Sequence, residues 1–243
     1  MPTPNIIAYL VLALWPFVAW QLWRRLDPGR ALIWTILGGY LLLPPLTAFN
    51  FPVIPDLDKM SVPNLMALVC ALWLVKYKIS FVPHSPIGKA LIGAYVLSPF
   101  GTVLTNTDPL IFRAAMINGM RIYDSLASIA YQLIALLPFF LARRYLGTPE
   151  GMRAILAALV AAGLAYSVPM LIEVAMSPQM NVWVYGFFQH DFWQTVRYGG
   201  YRPVVFLPHG LWVAFFAFMA LAAAAVLFRH VAAEARPKAL VVM

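Results

Sequence analysis

Arg202 and His209 are the residues best placed by type and spacing to do chemistry. They stand seven positions apart, where a polar, aromatic-rich stretch runs into a long apolar one. A guanidinium offers several donors in a fixed fork, which suits the oxygens of a phosphate. Charge beside membrane sequence is costly, so an arginine at that depth faces protein, water or an anionic ligand. Gly199 and Gly200 permit a tight turn just before Arg202. Pro203 biases Arg202 toward an extended backbone. His209, between Pro208 and Gly210, reads either as a hydrogen-bonded structural residue or as a catalytic one. Glu173, four residues after Pro169, reads as an interfacial residue, a partner for an arginine, or a base. Arg197 adds positive charge to the same region, and Tyr201 adds an aromatic face with a polar tip.

These side chains must be held by membrane helices. The 243 residues are 63% hydrophobic and only 11% charged, too few charges to solvate a soluble domain of this size. Apolar residues come in long blocks rather than in the alternation of a β-barrel. A bilayer core needs ~20 apolar residues per helix. Seven such spans are expected, over 5–23, 31–49, 62–75, 89–105, 126–142, 153–176 and 206–228. The expected fold is therefore all-α, a single polytopic bundle over 1–243, with an aromatic-rich external loop at 177–205.

Lysine and arginine set its orientation. Arg24, Arg25 and Arg30, then Lys76, Lys78 and Lys89, then Arg143, Arg144 and Arg153, then Arg229, Arg236 and Lys238 occupy alternate connections. They make up 12 of the 17 basic residues. Those connections read as inside, which puts the N-terminus and the Arg202 loop outside. The net charge of +8 is thus a topology signal. Basic residues dispersed between spans argue against a nucleic-acid partner. The first span reads as an anchor rather than a cleaved signal. Cys70 lies mid-span and has no second cysteine to pair with.

Three outside connections follow. Residues 50–61 carry Asp56, Asp58 and Lys59. Residues 106–124 carry Arg113 and Arg121, and 109–125 reads as a short helix on the membrane surface. Both arginines would then project to one side, about 80° apart, either snorkelling or facing a ligand. Residues 177–205 hold eight aromatics, which form an ordinary interfacial belt or a platform for a sugar or lipid. No metal-ligand spacing or nucleotide loop is present, so neither metal nor cofactor is expected.

The run Gly200, Tyr201, Arg202, Pro203, Val204, Val205 and Phe206, followed by Pro208, His209, Gly210 and Leu211, resembles the entry to the core domain of the O-antigen ligase and polysaccharide polymerase family. The resemblance implies a membrane glycosyltransferase of the bacterial inner membrane. Its donor would be a polyprenyl-diphosphate-linked glycan, used on the outer face among membrane lipids. Arg202 would contact the donor diphosphate, with Arg197 a helper on charge grounds. Members of that family usually have more spans and a second large external loop. The chain therefore resembles their N-terminal part, which would work with a C-terminal half or with other polysaccharide-assembly proteins. The competing reading is a non-enzymatic transporter or channel-like subunit for a lipid or small solute.

Overall fold

A computed structural model describes residues 3–51, 54–76, 81–83, 85–112 and 115–234. Arg113, Lys78, His84, Arg236 and Lys238 lie outside the described residues. The chain is mostly helical. Five helices are long and apolar enough to cross a membrane: α1 (Ile6–Arg25), α4 (Pro86–Leu104), α5 (Ile122–Tyr145), α6 (Pro149–Met176) and α8 (Gly210–Glu234), the last through Arg229.

Two further expected spans are helical but short. The helix α2 (Pro28–Leu42) has 15 residues, and α3 (Ser61–Cys70) continues into a π turn over Ala71–Val75. At 1.5 Å per residue, each covers about 22 Å of a ~30 Å hydrocarbon core. The expected second span ran on to residue 49, but α2 stops at Leu42, just short of Pro44 and Pro45. A residue before proline is pushed out of helical geometry, and proline itself brings no N–H. The chain then forms an antiparallel hairpin of β1 (Ala48–Phe51) and β2 (Ile54–Asp58).

Helix starts carry their own signals. Asn5, Asp27, Ser85 and Thr148 each accept a backbone N–H of the first turn, and proline follows directly in α2, α4 and α6. Pro16, Pro99, Pro138 and Pro169 lie inside helices, as tolerated in membrane segments.

The helix expected over 109–125 is replaced by a second hairpin, β3 (Leu110–Phe112) with β4 (Ala115–Ile117). Ile111, Phe112 and Ile117 favour a pleated surface. Met120 N–H donates to the Asn106 carbonyl at 2.9 Å and closes the loop. Arg121 becomes the N-cap of α5, its own N–H donating to Asp124 Oδ2 at 2.7 Å. Arg121 therefore starts α5 instead of lying on a surface helix over 109–125.

The main core joins α1, α2, α3, α5 and α6 through Trp23, Leu32, Ala67, Cys70, Leu141 and Ala158. Inside it, Trp23 Nε1–H donates to Thr35 Oγ1 at 3.1 Å. A second core joins α2, α6 and α8 through Leu41, Tyr166, Val213 and Phe216. Small residues set the α6–α8 approach: a Cβ on Gly163 would lie 2.6 Å from that of Ala220. Cys70 is buried and free.

Hydrogen bonds sort the connections onto two ends. At one end, Asn5 N–H and Nδ2–H donate to the carbonyls of Tyr185 (2.9 Å) and Val184 (3.0 Å). Tyr185 O–H donates to the Leu42 carbonyl at 2.5 Å. Lys59 Nζ donates to the carbonyls of Leu43 (2.5 Å) and Phe206 (2.7 Å). The N-terminus, the α2–α3 connection and the 177–209 segment therefore share one end. The α1–α2 turn at Gly29 meets Tyr145 and Leu146 of the α5–α6 turn at the other. Three connections expected on one side thus share one end, and two expected on the other side meet at the opposite end.

Candidate functional site

The segment after α6 is a built structure rather than a loose loop. It holds the short helix α7 (Met180–Tyr185), a 3-10 turn over Phe192–Thr195, and a two-residue hairpin of β5 (Val196–Arg197) and β6 (Gly200–Tyr201). Tyr198 (φ 46) and Gly199 (φ 80) form the hairpin's corner. Positive φ at both central positions matches the right-handed twist of the flanking strands.

Arg202 leaves β6 with its backbone fixed, its N–H donating to the Thr195 carbonyl at 2.8 Å. Its stem crosses Gly210, where an added Cβ would sit 2.1 Å from Arg202 Cδ. Gly210 is thus the floor on which the stem lies. Among the described residues, no protein group is hydrogen-bonded to the Arg202 guanidinium. Gly210→Ala should therefore displace Arg202 while keeping its charge. We expect a destabilisation of about 1–3 kcal/mol with unchanged helix content, measured by thermal unfolding and circular dichroism.

His209 stands beside it. Its Nδ1 accepts the Leu211 N–H at 2.9 Å, and His190 Nδ1 accepts the Asp191 N–H at 2.6 Å. An imidazole nitrogen that accepts leaves the ring's proton on Nε2 in the neutral form. The two rings lie 4.2 Å apart, centroid to centroid. Partial burial, then His190, then Arg202 and Arg197, pull the His209 imidazole below its ordinary pKa. Two arginines and two imidazoles thus form one donor-rich, electropositive patch. Arg197 is exposed and is held by its own strand, with Nη1 donating to the Val196 carbonyl at 2.8 Å.

Glu173 lies beneath, 1% exposed. Its Oε2 accepts the N–H groups of Val204 (2.7 Å) and Val205 (2.8 Å), and its Oε1 accepts that of Met180 (2.9 Å). Val205 has φ 53, a costly conformation for a β-branched residue. Gln189 secures the same turn, donating from Nε2 to the carbonyls of Val205 (2.9 Å) and Leu207 (3.0 Å). A buried carboxylate committed to three backbone donors acts as an anchor. The sequence offered an interfacial residue, an arginine partner or a base, and none of these three names the anchoring role.

The eight aromatics divide. Tyr185 packs edge-on against Phe206, and both Tyr185 and Phe187 are buried against Ala8. Trp183, Trp193 and Tyr198 are exposed. Phe192 bridges Phe188, Trp193 and Tyr201 at 5.8, 6.4 and 6.2 Å. Tyr201 therefore borders the patch on an aromatic shelf.

Of the residues singled out from sequence, Arg202, Arg197, His209 and Tyr201 come together, with Glu173 below. Arg121 belongs to the separate α4–α5 connection, and Arg113 lies outside the described residues. Sequence reasoning gave no site role to His190, Gln189 or Lys59. His190 shares the loop with Arg197, which was a usable signal, but nothing local marks Gln189 or Lys59 as tied to residues 204–207. Among the described residues, no group of three or more metal-ligating side chains occurs. No protein-family model, curated protein or solved structure matches this chain.

Proposed function

We propose that this protein is a component of bacterial surface-polysaccharide assembly that captures a polyprenyl-diphosphate-linked glycan at the outer face of the inner membrane. One observation carries the reading: the Arg202 guanidinium, with its stem laid on Gly210, has no hydrogen-bonded partner among the described residues and stands near Arg197, His190 and His209. A donor set of this kind favours an anion that brings its own charge. A developing diphosphate leaving group is such an anion, and preorganised donors lower the cost of forming it. The exposed rings beside the patch supply apolar faces for a sugar.

The test is binding of polyprenyl diphosphate to the purified protein in lipid nanodiscs. Arg202→Ala should weaken it at least tenfold, roughly the worth of one charge-assisted hydrogen bond. Arg202→Lys should recover only part, because a point charge cannot replace a fork. Binding should also weaken as salt rises, as expected of exposed charges. Equal affinity for the wild type and Arg202→Ala would remove the assignment, as would a label at position 202 facing the cytosol.

A further inference from the structure

A second region lies beside the electropositive patch and shares Lys59 and Pro208 with the turn that leads to His209. A cavity of about 990 Å³ runs between α2, α5, α6 and α8, lined by Ile36, Leu37, Ala135, Pro138, Leu159 and Trp212 among others. Its length along α5, from Tyr131 to Ala142, is about 16 Å at 1.5 Å per residue. That is half the depth of a ~30 Å hydrocarbon core. Exposed Leu46 and Met60 stand at its rim.

At the end bearing the β1–β2 hairpin it adjoins a second cavity of about 740 Å³, sharing Asp56, Asp58 and Tyr131 with it. Both spaces are mainly apolar, and the second adds Phe51, Pro55, Tyr123, Leu126, Ser128 and Gln132 around the shared carboxylates. Asp58 is partly used, its Oδ1 accepting from Met60 and Ser61 N–H and its Oδ2 from Tyr131 O–H at 3.3 Å. Asp56 is exposed, and among the described residues nothing is hydrogen-bonded to its carboxylate. Gln132 Oε1 is buried with no hydrogen-bond partner. An orphaned buried acceptor calls for a donor from outside the protein.

We infer that the two cavities together bind one uncharged glycolipid, its hydrocarbon tail between α2 and α5 and its hydroxyl-rich head between Asp56, Tyr123 and Gln132. The charge at the rim decides the class of head. Two carboxylates and an orphan amide oxygen accept from hydroxyls, whereas they repel a phosphate. Lys59 does not reverse this balance, because its amine is turned onto the carbonyls of Leu43 and Phe206. Phe51 and Tyr123 offer ring faces to the apolar side of a sugar. The tail cavity lies at the top of the volume range of small-molecule sites and is lined as they are.

The experiment uses the full chain extracted with its lipids by a styrene–maleic acid copolymer, so that no detergent enters the cavity. The probe is an alkyl glucoside with a photoactivatable diazirine in its tail. Cross-links should map to α5 between Tyr131 and Ala142. Octyl glucoside should compete at least tenfold better than octyl phosphate. Ala135→Trp should abolish labelling, and Gln132→Leu and Asp56→Asn should each shrink the tenfold preference while helix content stays unchanged. Labelling confined to other helices, equal competition by the phosphate, or full labelling of Ala135→Trp would overturn the inference. The labelling map and the competition use the wild-type chain, so they decide the matter even if a variant fails to fold.

Discussion

Glu173→Ala should destabilise the protein by about 3 kcal/mol or more, since each of three backbone N–H groups left buried without an acceptor costs about 1–3 kcal/mol. The donors are Met180, Val204 and Val205, and the residue is 1% exposed, so water does not readily replace the lost oxygens. The damage should spread through the loop. Val205 is held at φ 53 against its own preference, and the carboxylate is part of what holds it there. Released, residues 204–207 would let Arg202 and His209 drift apart. Thermal unfolding in nanodiscs should show a lowered midpoint, and limited proteolysis should cut the loop faster. Glu173→Gln keeps one acceptor oxygen but turns an NH₂ toward a backbone donor, so an intermediate loss is expected. An unchanged midpoint in Glu173→Ala would show that the three hydrogen bonds do not anchor the loop.

Lys59 gives the second large effect, and its sign depends on pH. Burial lowers its pKa from 10.5 to about 7. A neutral amine has two N–H donors, and two carbonyls, Leu43 and Phe206, receive them. Between pH 7 and about 10.5 the unfolded chain holds a proton that the folded chain has released. Stability should therefore rise with pH across that window and be flat below it. Lys59→Met removes the titration and leaves two carbonyls without their donor, a loss of about 1–3 kcal/mol. The variant should lag the wild type most near pH 10, with the gap narrowing as pH falls to 7. Comparing the two proteins cancels contributions common to both. Parallel curves for wild type and variant would show that Lys59 keeps its proton when folded.

Both effects come from side chains that close the same end of the bundle. Glu173 holds residues 204–205 from α6, and Lys59 holds Phe206 from the α2–α3 connection. The Arg202–His209 patch is thus set by three parts of the chain far apart in sequence.

Much of this was legible in the sequence because it rests on local physics. Long apolar blocks mark the helices, since a backbone in hydrocarbon must satisfy its own hydrogen bonds. Asp27 before Pro28 and Thr148 before Pro149 mark helix starts within one turn. The alternation of basic residues implied which connections share an end, and the hydrogen bonds of Asn5, Lys59 and Tyr185 agree with it. A tight turn was legible at Gly199 and Gly200, but its corner falls one residue earlier, at Tyr198 and Gly199, and Gly200 enters β6.

Other features could be settled only by tertiary structure. Whether 109–125 is helix or hairpin turns on weak preferences that a few cross-strand contacts override. Glu173 has the same side chain whether it serves as base or anchor, and only the arrival of Val204 and Val205, more than thirty residues on, determines which. The pairing of His190 with His209 and the grip of Lys59 on Phe206 likewise join groups that no local pattern connects. Short-range sterics and burial are written in neighbouring residues. The direction a buried polar group faces depends on whichever distant backbone lacks a partner.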